Sequence, residues 1–171
     1  MKGDLIKLFP VAAGSQKYTD VETELRTSFT PNIISIVQNM TLWKNYQLLK
    51  KQLDVNNKHN NERKLFHKRG FNRSYTGTHG AMYGNGSYFA VSATFSQGYA
   101  KPDIRNHMRM YLAKVLVGDF TTGRAGMITP PTKSSSNTTD LYDSVADNSA
   151  NPTIFVVFDD IQAYPEYLTF T

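Results

Sequence analysis

Apolar positions recur along this chain at two spacings. Val21, Leu25 and Phe29 stand four residues apart, which predicts a helix capped by Thr19 or Asp20, with Glu22 and Glu24 in its first turn, ending before Pro31. Asn39–Leu53 has the same period: Trp43, Tyr46, Leu49 and Leu53 make one apolar face, with Lys44, Lys50 and Lys51 opposite. On that face Trp43 and Tyr46 are core residues rather than ligand contacts. Elsewhere the apolar residues come in short runs that predict strands: Ile33–Val37, Lys64–His67, Ser87–Val91, Met108–Val117 and Thr153–Phe158. Ile161–Phe170 reads as a last strand broken at Pro165.

The polar stretches between these runs predict the connections. Residues 1–17 form an extended lead-in interrupted by Pro10 and Gly14–Ser15. Asp54–Arg63 is an Asn-rich loop, Gly77–Gly86 a glycine-rich turn that a ligand can approach, and Ser96–Asn106 a loop interrupted by Pro102. Thr121–Asn151, rich in Ser, Thr, Asn and Pro, is a long surface loop of the kind that folds over a site. Two helices followed by several strands argue for an α+β fold with an antiparallel sheet, not a doubly wound one. A length of 171 residues suits one domain with a full core, taken as 1–171.

Composition narrows the function classes. No apolar run is long enough to cross a bilayer, and Asp4 and Lys7 spoil the N-terminus as a signal peptide. There are no cysteines, which removes disulfides and thiolate metal sites and fits a reducing, intracellular compartment, cytoplasmic or nuclear. Nineteen basic against 14 acidic side chains favour anionic ligands such as nucleotides. The basic residues are scattered, so a nucleic-acid interface is the weaker reading.

Local motifs alone identify no chemistry. Tyr83-Gly84-Asn85-Gly86 precedes a strand rather than a helix, so it is no dinucleotide cradle of the doubly wound kind. His59, His79 and His107 lack metal-ligand spacing, and no serine sits in a nucleophile elbow. The order of the segments says more. LFH, YGNGSYFA, FSQGY, GRAGMITPP, DLYDSV, FVVF and QAYPEYL follow one another, preceded by Gln38–Asn39, Leu42–Trp43 and Tyr46. In this the chain closely resembles the catalytic domain of the poly-ADP-ribose polymerase superfamily, nearest the mono-ADP-ribosyltransferases that carry macrodomains upstream.

The resemblance implies a diphtheria-toxin-like ADP-ribosyltransferase fold, a split antiparallel β-sheet core with flanking helices, binding NAD+ as co-substrate and needing no metal. It implies a His-Tyr-Glu triad with His67 and Tyr88 in the first two places. His67 would bond a ribose hydroxyl, Tyr88 and Tyr99 would stack on the nicotinamide ring, and Ser96 would hold its carboxamide. The third place falls on Ile154, which cannot polarise an acceptor sugar. The implied activity is therefore transfer of a single ADP-ribose to a protein acceptor, itself included, through an oxocarbenium-like state. QAYPEYLTF closes the family's catalytic domain, which implies the C-terminal part of a larger protein.

The pattern also departs from the family. His67 is followed by Lys68–Arg69 where relatives carry Gly, then Thr or Ser, and a short helix leading to the equivalent of Gly70–Phe71. About three helical turns, roughly 15 Å, are missing there. Shortening is also expected near Ile36–Val37, and by one residue at Leu168–Thr169. The alternative these gaps raise is an inactive descendant that serves as a binding or interaction module.

Overall fold

A computed structural model describes residues 6–26, 28–56, 59–68, 81–98 and 102–170. In chain order its elements are β1 (Lys7–Pro10), α1 (Gln16–Leu25), β2 (Ile33–Gln38), α2 (Met40–Val55), β3 (Glu62–His67), β4 (Ser87–Ala90), α3 (Ala93–Gln97), β5 (Arg109–Leu116), β6 (Phe120–Thr122), β7 (Ser144–Ala146), β8 (Ile154–Val157) and β9 (Ala163–Phe170). A 3-10 turn at Asp160–Gln162 leads into β9. The described strands form one sheet in the order β1-β2-β9-β5-β3-β4-β8-β7-β6, antiparallel throughout except for β6 beside β7. The fold is α+β, as the pattern of helices and strands indicated.

The alternation along β5 sorts the core. Ala113, Val115 and Val117 turn to one face with Leu65, Phe89, Phe155 and Val157. Met110 and Leu112 turn to the other with Phe66, where Val21 and Leu25 of α1 cover them. The face of α2 that the 3.6 period marked out lies against Leu116 and Tyr164, with Trp43 edge-on to Tyr164 at 4.7 Å. Lys50 does not stand away from that face. It reaches Glu62 at 2.9 Å, on the same carboxylate oxygen that accepts the Tyr46 hydroxyl at 2.7 Å.

Several expectations need correction. The lead-in contains β1, and α1 starts at Gln16, a turn before Thr19. Ser15 is the cap, its side chain accepting from the Tyr18 N–H. Ser96 lies in no loop: Ser92 accepts from the Phe95 N–H and starts α3, which carries Ser96. The excursion 121–151 is not plain loop, since β6 ends in it, β7 lies within it, and Thr132 and Leu141 form an isolated bridge. Pro165 does not break β9. The β5–β9 register shifts between Leu112 and Ala113, which skips Glu166 and leaves Pro165 opposite Ala113, and β2 pairs only with Tyr167–Phe170 beyond it.

Candidate functional site

The candidate site lies where the sheet is least paired, between β3 and β4. β4 is registered with β8 along its whole length, Ser87 to Ala90 against Val157 to Ile154, but with β3 at a single pair, Phe66 and Ala90. His67 follows that pair at the end of β3. Its Nδ1 lies 2.6 Å from the Tyr88 carbonyl oxygen, and its ring rests on Phe89 with centroids 5.1 Å apart.

Tyr88 is half-buried on the opposite face, in register with Val156. Its hydroxyl donates to the Gly84 carbonyl at 2.7 Å and accepts from the Tyr83 N–H at 3.0 Å. Burial pushes the phenol above its ordinary pKa, against the opposing pull of those two backbone contacts. The turn that makes them depends on glycine at two points. Gly84 has φ +132° and lies against the Phe158 ring, and a Cβ on Gly86 would collide with the Val157 carbonyl.

The excursion closes over this turn. The Asn85 N–H donates to the Met127 carbonyl at 2.7 Å, and Met127 packs with Tyr83, Tyr88 and Ile154 around Val145, Val156 and Phe158. Ile154 heads β8 opposite Ala90, partly buried in that cluster, and it brings no carboxylate to the site. A carboxylate does stand on the neighbouring strand end. Asp147 accepts from the Thr153 N–H at 2.9 Å, the Thr153 hydroxyl at 2.5 Å and the Ile154 N–H at 3.0 Å. Burial would raise its pKa, but these bonds prevail and hold it below the ordinary value. Sequence reasoning missed Asp147, whose one signal is the turn-forming stretch NSANP after it.

Ser96 is buried on α3, which packs against β3 and β4. The Ser28 hydroxyl ties α3 to the segment after α1 through Gln97 at 3.0 Å. Thus the structure joins His67 to Tyr88 and packs Tyr88 with Ile154, while Ser96 reaches the region by its helix. Tyr99 lies outside the described residues, as do Gly70, Phe71, Gly77 and Gly80. A separate polar cleft of about 500 Å³ opens at the other end of β3, between Asp54, His59, Asn60, Asn61, Gly118 and Asp119. Among the described residues no group of three His, Cys, Asp or Glu is placed to hold a metal, and no helix is long and apolar enough to cross a membrane.

Residues 15–171 match the family profile of the poly(ADP-ribose) polymerase catalytic domain. The chain belongs to that family. Among curated proteins it is similar to protein mono-ADP-ribosyltransferase PARP14 of Homo sapiens, 44% identical over 149 residues, covering 79% of this chain and 8% of that protein. It is also similar to protein mono-ADP-ribosyltransferase PARP12 of Mus musculus, 43% identical over 148 residues, covering 79% of this chain and 20% of that protein. With protein mono-ADP-ribosyltransferase PARP11 of Homo sapiens it is 33% identical over 197 residues, covering 95% of this chain and 58% of that protein. The chain therefore spans less than two thirds of each of these relatives. The stretch shared with PARP11 exceeds the 171 residues of this chain, so this poly(ADP-ribose) polymerase catalytic domain lacks residues that the relative carries inside the match.

Proposed function

We propose that this domain transfers one ADP-ribose unit from NAD+ to a side chain of a protein acceptor. The observation that carries the proposal is that Tyr88 and Ile154 pack against one apolar cluster. An aromatic ring, half-buried and pinned by its hydroxyl, stands in one apolar cluster with an isoleucine at the family's third triad place. A half-buried tyrosine ring in an apolar cluster is a side chain on which a planar aromatic ring can stack. The acceptor side chain bonds to the ribosyl carbon of NAD+ as that carbon's bond to nicotinamide breaks; nicotinamide leaves with the electron pair, and the acceptor's proton passes to water.

The chain's own residues then hold and orient. Tyr88 and Tyr99 form the walls for the nicotinamide ring, Ser96 bonds its carboxamide, and His67 bonds ribose. Ile154 and Met127 exclude water beside them. With no carboxylate at position 154 to activate a sugar hydroxyl, the product stops at one unit. The proposed acceptors are protein side chains, this chain's own among them.

A second reading, a domain that keeps the fold without transfer, draws on one observation. The PARP11 match is longer than this chain, so residues that the relative carries inside the match are missing here. Intact-mass spectrometry after incubation with NAD+ decides between them. One ADP-ribose adduct, absent from Tyr88→Ala and His67→Ala, is expected. Equal labelling of either variant would sink the residue roles, and a ladder of adducts would contradict the role of Ile154. No product on the chain or on added proteins, from a folded sample, favours the second reading.

A further inference from the structure

α1 and α2 differ on their outer faces. Every exposed residue of α1, from Gln16 to Glu24, is polar, the usual solvated side of an amphipathic helix. α2 departs from this. Met40, Leu48 and Val55 are 63%, 58% and 73% exposed, and the exposed Lys44 and Lys51 stand between them. From Met40 through Lys44, Leu48 and Lys51 to Val55 the steps are four, four, three and four residues, so the five side chains form one row along the helix. The row is about 22 Å long at helical rise.

The inner face of α2 is already occupied. Trp43, Tyr46 and Leu53 pack with Leu116 and Tyr164, and Lys50 is bound to Glu62. On the outer row, Lys44 and Lys51 meet no carboxylate among the described residues. No Asp or Glu precedes Asp54 in the helix, and the Asp54 carboxylate accepts from Asn60 at 2.7 Å. The row is thus apolar and purely basic, with its charge unanswered. A bilayer matches it poorly, because the lysines lie within the apolar row instead of flanking it, and Trp43 is turned inward, edge-on to Tyr164. A second copy of α2 laid along the row would set lysine against lysine. The pattern is answered by a helix on which apolar residues and carboxylates alternate at the same spacing.

We propose that the outer face of α2 docks an acidic amphipathic helix of a protein partner, with apolar side chains on Met40, Leu48 and Val55 and carboxylates on Lys44 and Lys51. Burial of the three apolar residues supplies the attraction, and the two lysines set register and reject basic partners. The surface shares no residue with the Tyr88 cluster, so it stands whether or not the domain transfers ADP-ribose.

The probe is a stapled helical peptide with leucines and glutamates alternating along one face at the spacing of the row, beside a twin carrying lysine for glutamate. Titration of ¹⁵N-labelled protein by NMR should give saturating amide shifts centred on α2 with the acidic peptide and none with its twin. Leu48→Glu should raise the Kd at least about tenfold. Lys44→Glu with Lys51→Glu should reverse the preference between the two peptides. All three positions are exposed, so thermal midpoints close to the parent's are expected and show that the variants are folded. Shifts centred away from α2, equal binding of both peptides, or no binding of the acidic one would overturn the proposal. So would Leu48-dependent sedimentation with phosphatidylcholine–phosphatidylserine vesicles, or Leu48-dependent self-association, in the absence of peptide binding: the first would assign the row to a membrane, the second to another copy of this chain.

Discussion

β4 treats its two neighbours differently. Toward β8 it is fixed: four registered pairs, the Gly86 backbone pressed on the Val157 carbonyl, and the Asp147 carboxylate clasping the first residues of the partner strand. Toward β3 it is nearly free, joined by one registered pair and then by an imidazole in place of a ladder bond. A ligand crevice needs both behaviours. One wall must hold aromatic and apolar groups without drift, and the other must part from it while still presenting a polar atom at a defined angle. The sparse pairing of β3 with β4 falls at the proposed site, and the side chain beyond it is the one proposed to touch ribose.

This contrast is broken most severely at Gly86. Gly86→Ala drives a Cβ into backbone that has no room to move, and a loss of about 3 kcal/mol is expected. Denaturant unfolding with an unchanged midpoint would show that the β4–β8 seam is softer than described. Next is Asp147→Asn, which replaces three contacts to a charged acceptor with weaker ones at a partly solvated position, at a cost of about 1.5 kcal/mol.

Because the folded Asp147 titrates below its ordinary value near 3.8, the unfolded chain binds more protons in that range. Its contribution should be complete above about pH 4 and fade as pH falls below it. Parent and variant stabilities should therefore converge in acid, and a gap constant from pH 7 to pH 3 would refute the clasp.

Smaller effects sharpen the picture. Tyr88→Phe leaves the Gly84 carbonyl and the Tyr83 N–H without their shared partner and should cost about 1 kcal/mol. Transfer should weaken through KM as the ring loses its fixed pose, and an unchanged KM would mean that the hydroxyl plays no part in positioning. Ser92→Ala removes the cap of a five-residue helix, worth about 0.5 kcal/mol. Its informative readout is again KM, because α3 carries Ser96, the proposed carboxamide contact.

Legibility in the sequence followed the range of the interactions involved. β2, β5 and β8 were plain from their apolar runs and α2 from its helical period, each contained within its own length. The start of α1 was misplaced because Ser15 and Gln16 precede its first apolar contact, and a cap shows only once the turn after it exists. α3 is too short for a period. β6 and β7 are three residues each and become strands only by pairing across the excursion. The same limit applies at the site. His67, Tyr88 and Ile154 were placed only by the family resemblance in the order of segments, whereas Asp147 holds the Ile154 N–H because the start of β8 comes within its reach. The register shift that leaves Pro165 opposite Ala113 likewise depends on β5, which lies far away in sequence.

The parallel pair of β6 and β7 sets an order of assembly. Its three residue pairs close a loop of the whole excursion, a poor exchange of chain freedom for contacts until β8 is already in place to receive Val145 and Ala146. The central strands can form without it. The apolar rim around Tyr88, with Met127 at its edge, is therefore expected to be the last part of the molecule to set during folding and the first to loosen on heating.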